Sequence, residues 1–135
     1  MRLSKDNSNS SNAFRMKKDE GAKPTRYYSK KQETAVAKAI GGKTVANSGA
    51  TPYNKGDVTD SDWLIECKTC VKDQDSFSVK KAWFIKNLEE SIFMKKKHSA
   101  VVFSFGPSSK NYYIVDEQTF LEMKDILDEK ERNEE

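Results

Sequence analysis

The stretch Trp63-Leu64-Ile65-Glu66-Cys67-Lys68-Thr69 constrains this chain more than any other. Val58-Thr59 before it reads as the end of one strand, Asp60-Ser61-Asp62 as a turn, and Trp63 to Cys70 as the returning strand of a tight hairpin. Side chains of a strand alternate between faces. Leu64, Glu66, Lys68 and Cys70 then share one face, and Trp63, Ile65, Cys67 and Thr69 the other. Large apolar groups on both faces imply a central, covered strand. A carboxylate and an ammonium on such a strand are costly unless they are paired or bound to a metal. A surface Glu-Lys pair on an edge strand is the competing reading, and the apolar groups on both faces oppose it. The hairpin also brings Asp57 close to Glu66. Two adjacent carboxylates repel unless a cation joins them, and hard divalent ions such as Mg²⁺ favour oxygen ligands.

The elements around this hairpin follow from spacing and punctuation. A first helix is expected from Ser29 to Ile40, with Ser29 and Gln32 as a capping box and Gly41-Gly42 as the stop. Glu33, Val36, Ala37 and Ile40 fall on one helical face, so Glu33 shares the stripe that should meet the core. It is either an acid favoured near the helix N-terminus or a third carboxylate aimed at the acidic pair. Lys43 to Ala46 reads as a short strand and Asn47 to Pro52 as a loop. A second helix is expected from Val79 to Lys97, capped by Ser76 or Ser78. Its inward stripe would be Val79, Ala82, Ile85, Leu88 and Ile92, widened by Trp83, Phe84 and Phe93, and Lys95-Lys96-Lys97-His98 would offset the dipole at its end. Ala100–Phe105 and Tyr112–Val115 read as a further hairpin, followed by a helix capped by Asp116 with Phe120, Met123, Ile126 and Leu127 on its apolar side. The expected fold class is α/β, an α+β mixed sheet in the order α-β-β-β-α-β-β-α.

Gly56-Asp57 followed by Glu66-Cys67-Lys68 resembles the P-D…(D/E)-X-K signature of the restriction-endonuclease-like nucleases, with Gly56 in place of the proline. The loop Asn47-Ser48-Gly49-Ala50 and the segment Asp75 to Lys81 resemble the archaeal-type Holliday-junction resolvases and their phage relatives, although the glycine usual before the loop serine is missing. The resemblance covers about Ser29 to Met123. It implies a restriction-endonuclease-like core and a catalytic set of Glu33, Asp57, Glu66 and Lys68. The three acids would hold Mg²⁺, with Mn²⁺ as a substitute. Ser48, Gly49, Lys55, Lys80 and Lys81 would contact DNA. Such enzymes usually leave a 5′-phosphate and a 3′-hydroxyl, and resolvases cut four-way junctions as homodimers. A nuclease for nicked, flap or duplex DNA is one alternative. A non-catalytic binder is another, since α-β-β-β-α is also the order of a double-stranded-RNA-binding domain.

Composition bounds the rest. A chain of 135 residues, 36% hydrophobic and 33% charged, is expected to form one domain with polar ends. Residues 1–28 read as a disordered basic tail, 29–128 as the domain and 129–135 as a frayed acidic end. Seven basic against three acidic residues in that tail suit a phosphate-tracking arm or a merely solvated segment. Cys67 and Cys70 form a C-x-x-C, but a three-residue offset on a strand parts the thiols, and His98 is the only histidine. A closed four-ligand zinc site within one chain is thereby excluded. No apolar run is long enough to span a membrane, and the first residues lack the apolar segment of a signal peptide. The expected location is cytoplasmic, in a host cytoplasm if the source is a phage.

Overall fold

A computed structural model describes residues 25–45 and 57–135. The basic tail up to residue 24, Gly56 and the expected DNA contacts Ser48, Gly49 and Lys55 lie outside the described residues. The elements are α1 (Thr25–Ile40), β1 (Lys43–Thr44), β2 (Val58–Thr59), β3 (Trp63–Lys68), α2 (Lys81–Phe93), β4 (His98–Phe103), β5 (Tyr112–Ile114) and α3 (Glu117–Glu134). Among the described residues five strands form one mixed sheet in the order β1-β2-β3-β4-β5, with the Trp63 strand in the middle. Of these, β3 and β4 run parallel, with Leu64 beside Ser99 and Glu66 beside Val101, and the other neighbours are antiparallel. Parallel neighbours need a crossover, which α2 supplies. The hairpin turn is held by Asp60, whose Oδ1 accepts from the backbone N–H groups of Asp62 at 2.8 Å and Trp63 at 2.7 Å.

The alternation in β3 sorts the sheet into two faces. Ile65 and Cys67 join Val58, Ala100 and Val102 in a core closed by Val36 and Ala37 of α1. The opposite face carries Leu64, Glu66 and Lys68 and receives α2, whose Asn87 Nδ2 donates to the carbonyls of Leu64 at 3.4 Å and Ala100 at 3.1 Å. Phe77 stacks on Phe103 of β4 on this side, with centroids 4.8 Å apart.

Several element ends differ from the sequence expectation. α1 starts at Thr25, so residues 25–28 are helical, and Ser29 donates to the Arg26 carbonyl instead of capping. Tyr27 and Tyr28 support that extra turn by an edge-on ring contact. α3 runs to Glu134, through the end expected to fray. Asp116 caps it as expected, accepting from Thr119 N–H at 2.8 Å, and those bonds hold its carboxyl below the usual range. α2 is shorter than expected, and neither Ser76 nor Ser78 caps it; the N-cap is Lys80, which makes no side-chain cap bond. Lys96 and Lys97 fall beyond α2 and turn to the hairpin, at 2.6 Å from the Asp60 carbonyl and 3.8 Å from Asp62 Oδ1.

The largest correction is the rotation of α2. Val79, Ile85, Leu88 and Ile92 are exposed, while Asn87, Glu90 and Ser91 are buried. Two lines of residues on this helix both have helical spacing. The line through Trp83, Asn87, Glu90 and Ser91 meets the sheet because Trp83 is fixed by Phe77 and Asn87 bridges two strands. Glu90 is carried inward with it, 3.8 Å from Lys86 Nζ and without a hydrogen bond to either oxygen.

The end of α1 places the first strand. Gly41 has φ +72°, which favours glycine, and Gly42 N–H donates to the Ala37 carbonyl at 2.8 Å in a Schellman turn. A Cβ at Gly42 would lie 2.5 Å from the Thr59 carbonyl oxygen. Gly42→Ala should therefore destabilise the fold by about 1–3 kcal/mol, the usual cost of overpacking. Urea unfolding checks this, and wild-type stability would show that β1 and β2 do not rest on that contact.

Candidate active site

Asp57, Glu66 and Lys68 meet because of register. Val58 pairs with Ile65 and Thr59 with Leu64. Asp57 stands just before this ladder, at the end of β2 that faces Ile65 to Cys67. Asp57 is fixed to β3 twice: its N–H donates to the Ile65 carbonyl at 3.1 Å, and its Oδ2 accepts from Cys67 N–H at 2.7 Å. Lys68 Nζ lies 3.2 Å from Glu66 Oε1. The same ammonium stands 4.6 Å over the Trp83 ring, a cation–π contact that limits where it can swing.

Glu33 comes from the other layer. Its neighbour Gln32 is buried, donates to the Lys68 carbonyl at 3.0 Å and accepts from Thr69 Oγ1 at 2.7 Å. Gln32 is thus an anchor between α1 and the end of β3, not half of a capping box. It sets Glu33 beside that strand end. Burial, Asp57 and Glu66 together push the Glu33 carboxyl up to about 7. Glu66 is raised as well, by burial and then by Asp57, with Lys68 opposing. The Cys67 thiol is raised by burial first and then by Asp57, Glu33 and Glu66. Cys67 and Cys70 are both free and buried.

The donor chemistry suits a hard divalent cation: carboxylate oxygens, two of them raised by burial first and by neighbouring acids second. The closed three-acid cluster expected from the sequence is not formed. Among the described residues, no three His, Cys, Asp or Glu side chains are gathered closely enough to hold an ion. Each acid has another attraction: Glu66 turns to Lys68, Asp57 bonds to Cys67 N–H, and Glu33 has Lys30 nearby. Lys80 and Lys81 are exposed at the start of α2.

Sequence reasoning missed Trp83 and Lys86 here. Trp83 holds the Lys68 ammonium, and Lys86 adds positive potential at Glu66. No spacing rule signals either, because both depend on which face α2 turns inward. Compared with known proteins, the chain matches no family model, no curated protein and no solved structure.

These shifts give stability a definite pH dependence. A carboxyl raised in the folded state binds more protons folded than unfolded, between its ordinary pKa and the raised one. In metal-free protein, stability from Glu33 should be present below 4.5 and lost as pH rises to about 7, with Glu66 acting in the same direction. Glu33→Gln should flatten that fall and leave the variant more stable than wild type at pH 8, relative to their difference in acid. Denaturant unfolding in EDTA across this range checks it; parallel profiles would remove Glu33 from the acidic cluster.

Proposed function

We propose that the protein is a metal-dependent endodeoxyribonuclease with a restriction-endonuclease-like core, cutting branched DNA in the manner of a Holliday-junction resolvase. The observation that carries this reading is the half-buried pair Glu33 and Glu66, both raised by burial and then by the field of Asp57, with Lys68 at 3.2 Å from Glu66. Carboxyls raised in this way cost stability, and a site that accepts a cation gives that cost a purpose.

Asp57 and Glu66 would hold the ion, Mg²⁺ or Mn²⁺, with Glu33 as the third oxygen donor. Bound there, the ion would polarise the scissile phosphate and lower the pKa of a coordinated water. Lys68 supplies what the acids do not. Its ammonium, held between Glu66 and the Trp83 ring, would orient the attacking water and offset negative charge on the phosphorane-like transition state. The exposed Lys80 and Lys81 would bind the backbone of the DNA entering beside this end of α2. A four-way junction needs two matched incisions, which a two-fold homodimer supplies. A nuclease for nicks, flaps or duplex has the same site and differs in which arms it accepts.

Asp57→Ala and Glu66→Ala should abolish cleavage of a labelled four-way junction in Mg²⁺, while folding and junction binding in Ca²⁺ persist. Lys68→Ala should lower the rate and leave binding in place. Preference is read by comparing junction, flap and duplex substrates. Wild-type cutting by Asp57→Ala would end the assignment of this site, and metal-indifferent binding without any cleavage would favour the binder.

A further inference from the structure

Lys68 stands at one end of a row of aromatic rings that crosses the sheet. It pairs with Phe103 of β4, and Phe103 pairs with Tyr112 of β5. Directly paired residues of a sheet project to the same face, so these three side chains stand side by side on the α2 side. The rings run nearly parallel: Phe77 stacks on Phe103 at 4.8 Å and 29°, and Phe103 on Tyr112 at 5.6 Å and 25°. Phe105 meets Phe103 and Tyr112 edge-on, at 5.3 and 5.5 Å, and braces the row.

Cross-strand aromatic pairs stabilise a sheet, which accounts for the half-buried Phe77, Phe103 and Phe105. It does not account for Tyr112, which ends the stack on the edge strand and is 40% exposed. Nor does it account for the cations interleaved with the rings. Lys110 Nζ lies 5.1 Å from the Tyr112 centroid, and Lys68 Nζ 4.6 Å from that of Trp83, which touches Phe77. Lys80 and Lys81 are exposed where α2 begins, close to Trp83 in the chain.

An apolar protein partner would have to cover these ammonium groups, and an acidic one would leave the ring faces unused. Aromatic faces for bases, with ammonium groups between them for phosphates, are the parts of a surface for single-stranded nucleic acid. Tyr112 lies two strands from Lys68, roughly 10 Å across the sheet, so a nucleotide flanking a phosphate held at Lys68 reaches its ring. We propose that one unpaired base of that DNA strand continues the Phe77–Phe103–Tyr112 stack, while Lys110 turns from the ring to the nucleotide's phosphate. The substrate class is then a strand with an unstacked base beside the cut, as at a branch point, and not continuous duplex. The inference rests on the nuclease reading for the place of the scissile phosphate; the base seat itself stands on the rings and cations.

The test uses flap DNA with a fluorescent adenine analogue at the unpaired position beside the branch, bound to the full chain in Ca²⁺. Stacking should quench the analogue on wild-type protein. Tyr112→Leu, folded by circular dichroism, should relieve the quench and weaken flap binding about tenfold, as loss of one base–aromatic stack does, with blunt-duplex binding unchanged. Tyr112→Phe should keep the flap affinity. Lys110→Gln should keep the quench and lower the salt slope by about 0.7, the share of one phosphate contact on a single strand. No quench on wild type, an equal quench on Tyr112→Leu, equal losses on flap and duplex, or an unchanged slope in Lys110→Gln would overturn the proposal. Quenching by a protein that cuts nothing in Mg²⁺ would sink the nuclease reading and leave the base seat standing; cutting without quenching would do the reverse.

Discussion

The covered central strand β3 must hold Glu66 and Lys68, and the rest of the molecule is arranged around that requirement. The two charges partly compensate each other at 3.2 Å. Register then adds Asp57 across the hairpin, and the Gln32 anchor adds Glu33 from the other layer. Burial raises the Glu33 and Glu66 carboxyls first, and the neighbouring acids raise them further against Lys30, Lys68 and Lys86. Covering a strand that carries charge normally favours replacing the charges with apolar groups. The surrounding contacts instead fix Asp57, Gln32 and Trp83 so that the charged groups stay close.

Much of this was legible before the fold was known. Alternation in Trp63 to Cys70 sorted the faces of β3 correctly, because the side-chain period of a strand leaves no freedom once pairing is set. The glycine stop of α1, the Asp116 cap and the order of elements were legible for similar local reasons. The rotation of α2 was not. Its Ile85-Leu88-Ile92 line and its Trp83-Asn87-Ser91 line have the same period, and the choice between them comes from Phe77 and from two strand carbonyls that meet Asn87 only in the folded protein. Hydrophobicity alone chose the wrong line. For the same reason Trp83 could not be placed beside Lys68 from sequence.

Rotation of α2 ties the site to the surface. The face that steadies Lys68 through Trp83 is also the face that forces Ile85, Leu88 and Ile92 outward. Building the ammonium's seat and exposing an apolar stripe are therefore one structural event.

The central claim is that Glu33, Asp57 and Glu66, which are not gathered around one point in this structure, supply the donors of one cation site, and titration calorimetry of Mg²⁺ into EDTA-treated protein tests it most directly. Burial and the neighbouring acids push the Glu33 carboxyl up to about 7, so a cation bound by it near neutral pH should displace protons. Titrations in two buffers of different ionisation enthalpy should show saturable binding with fractional proton release, both lost in Asp57→Asn. Absence of binding, or binding that Asp57→Asn leaves unchanged, would contradict it.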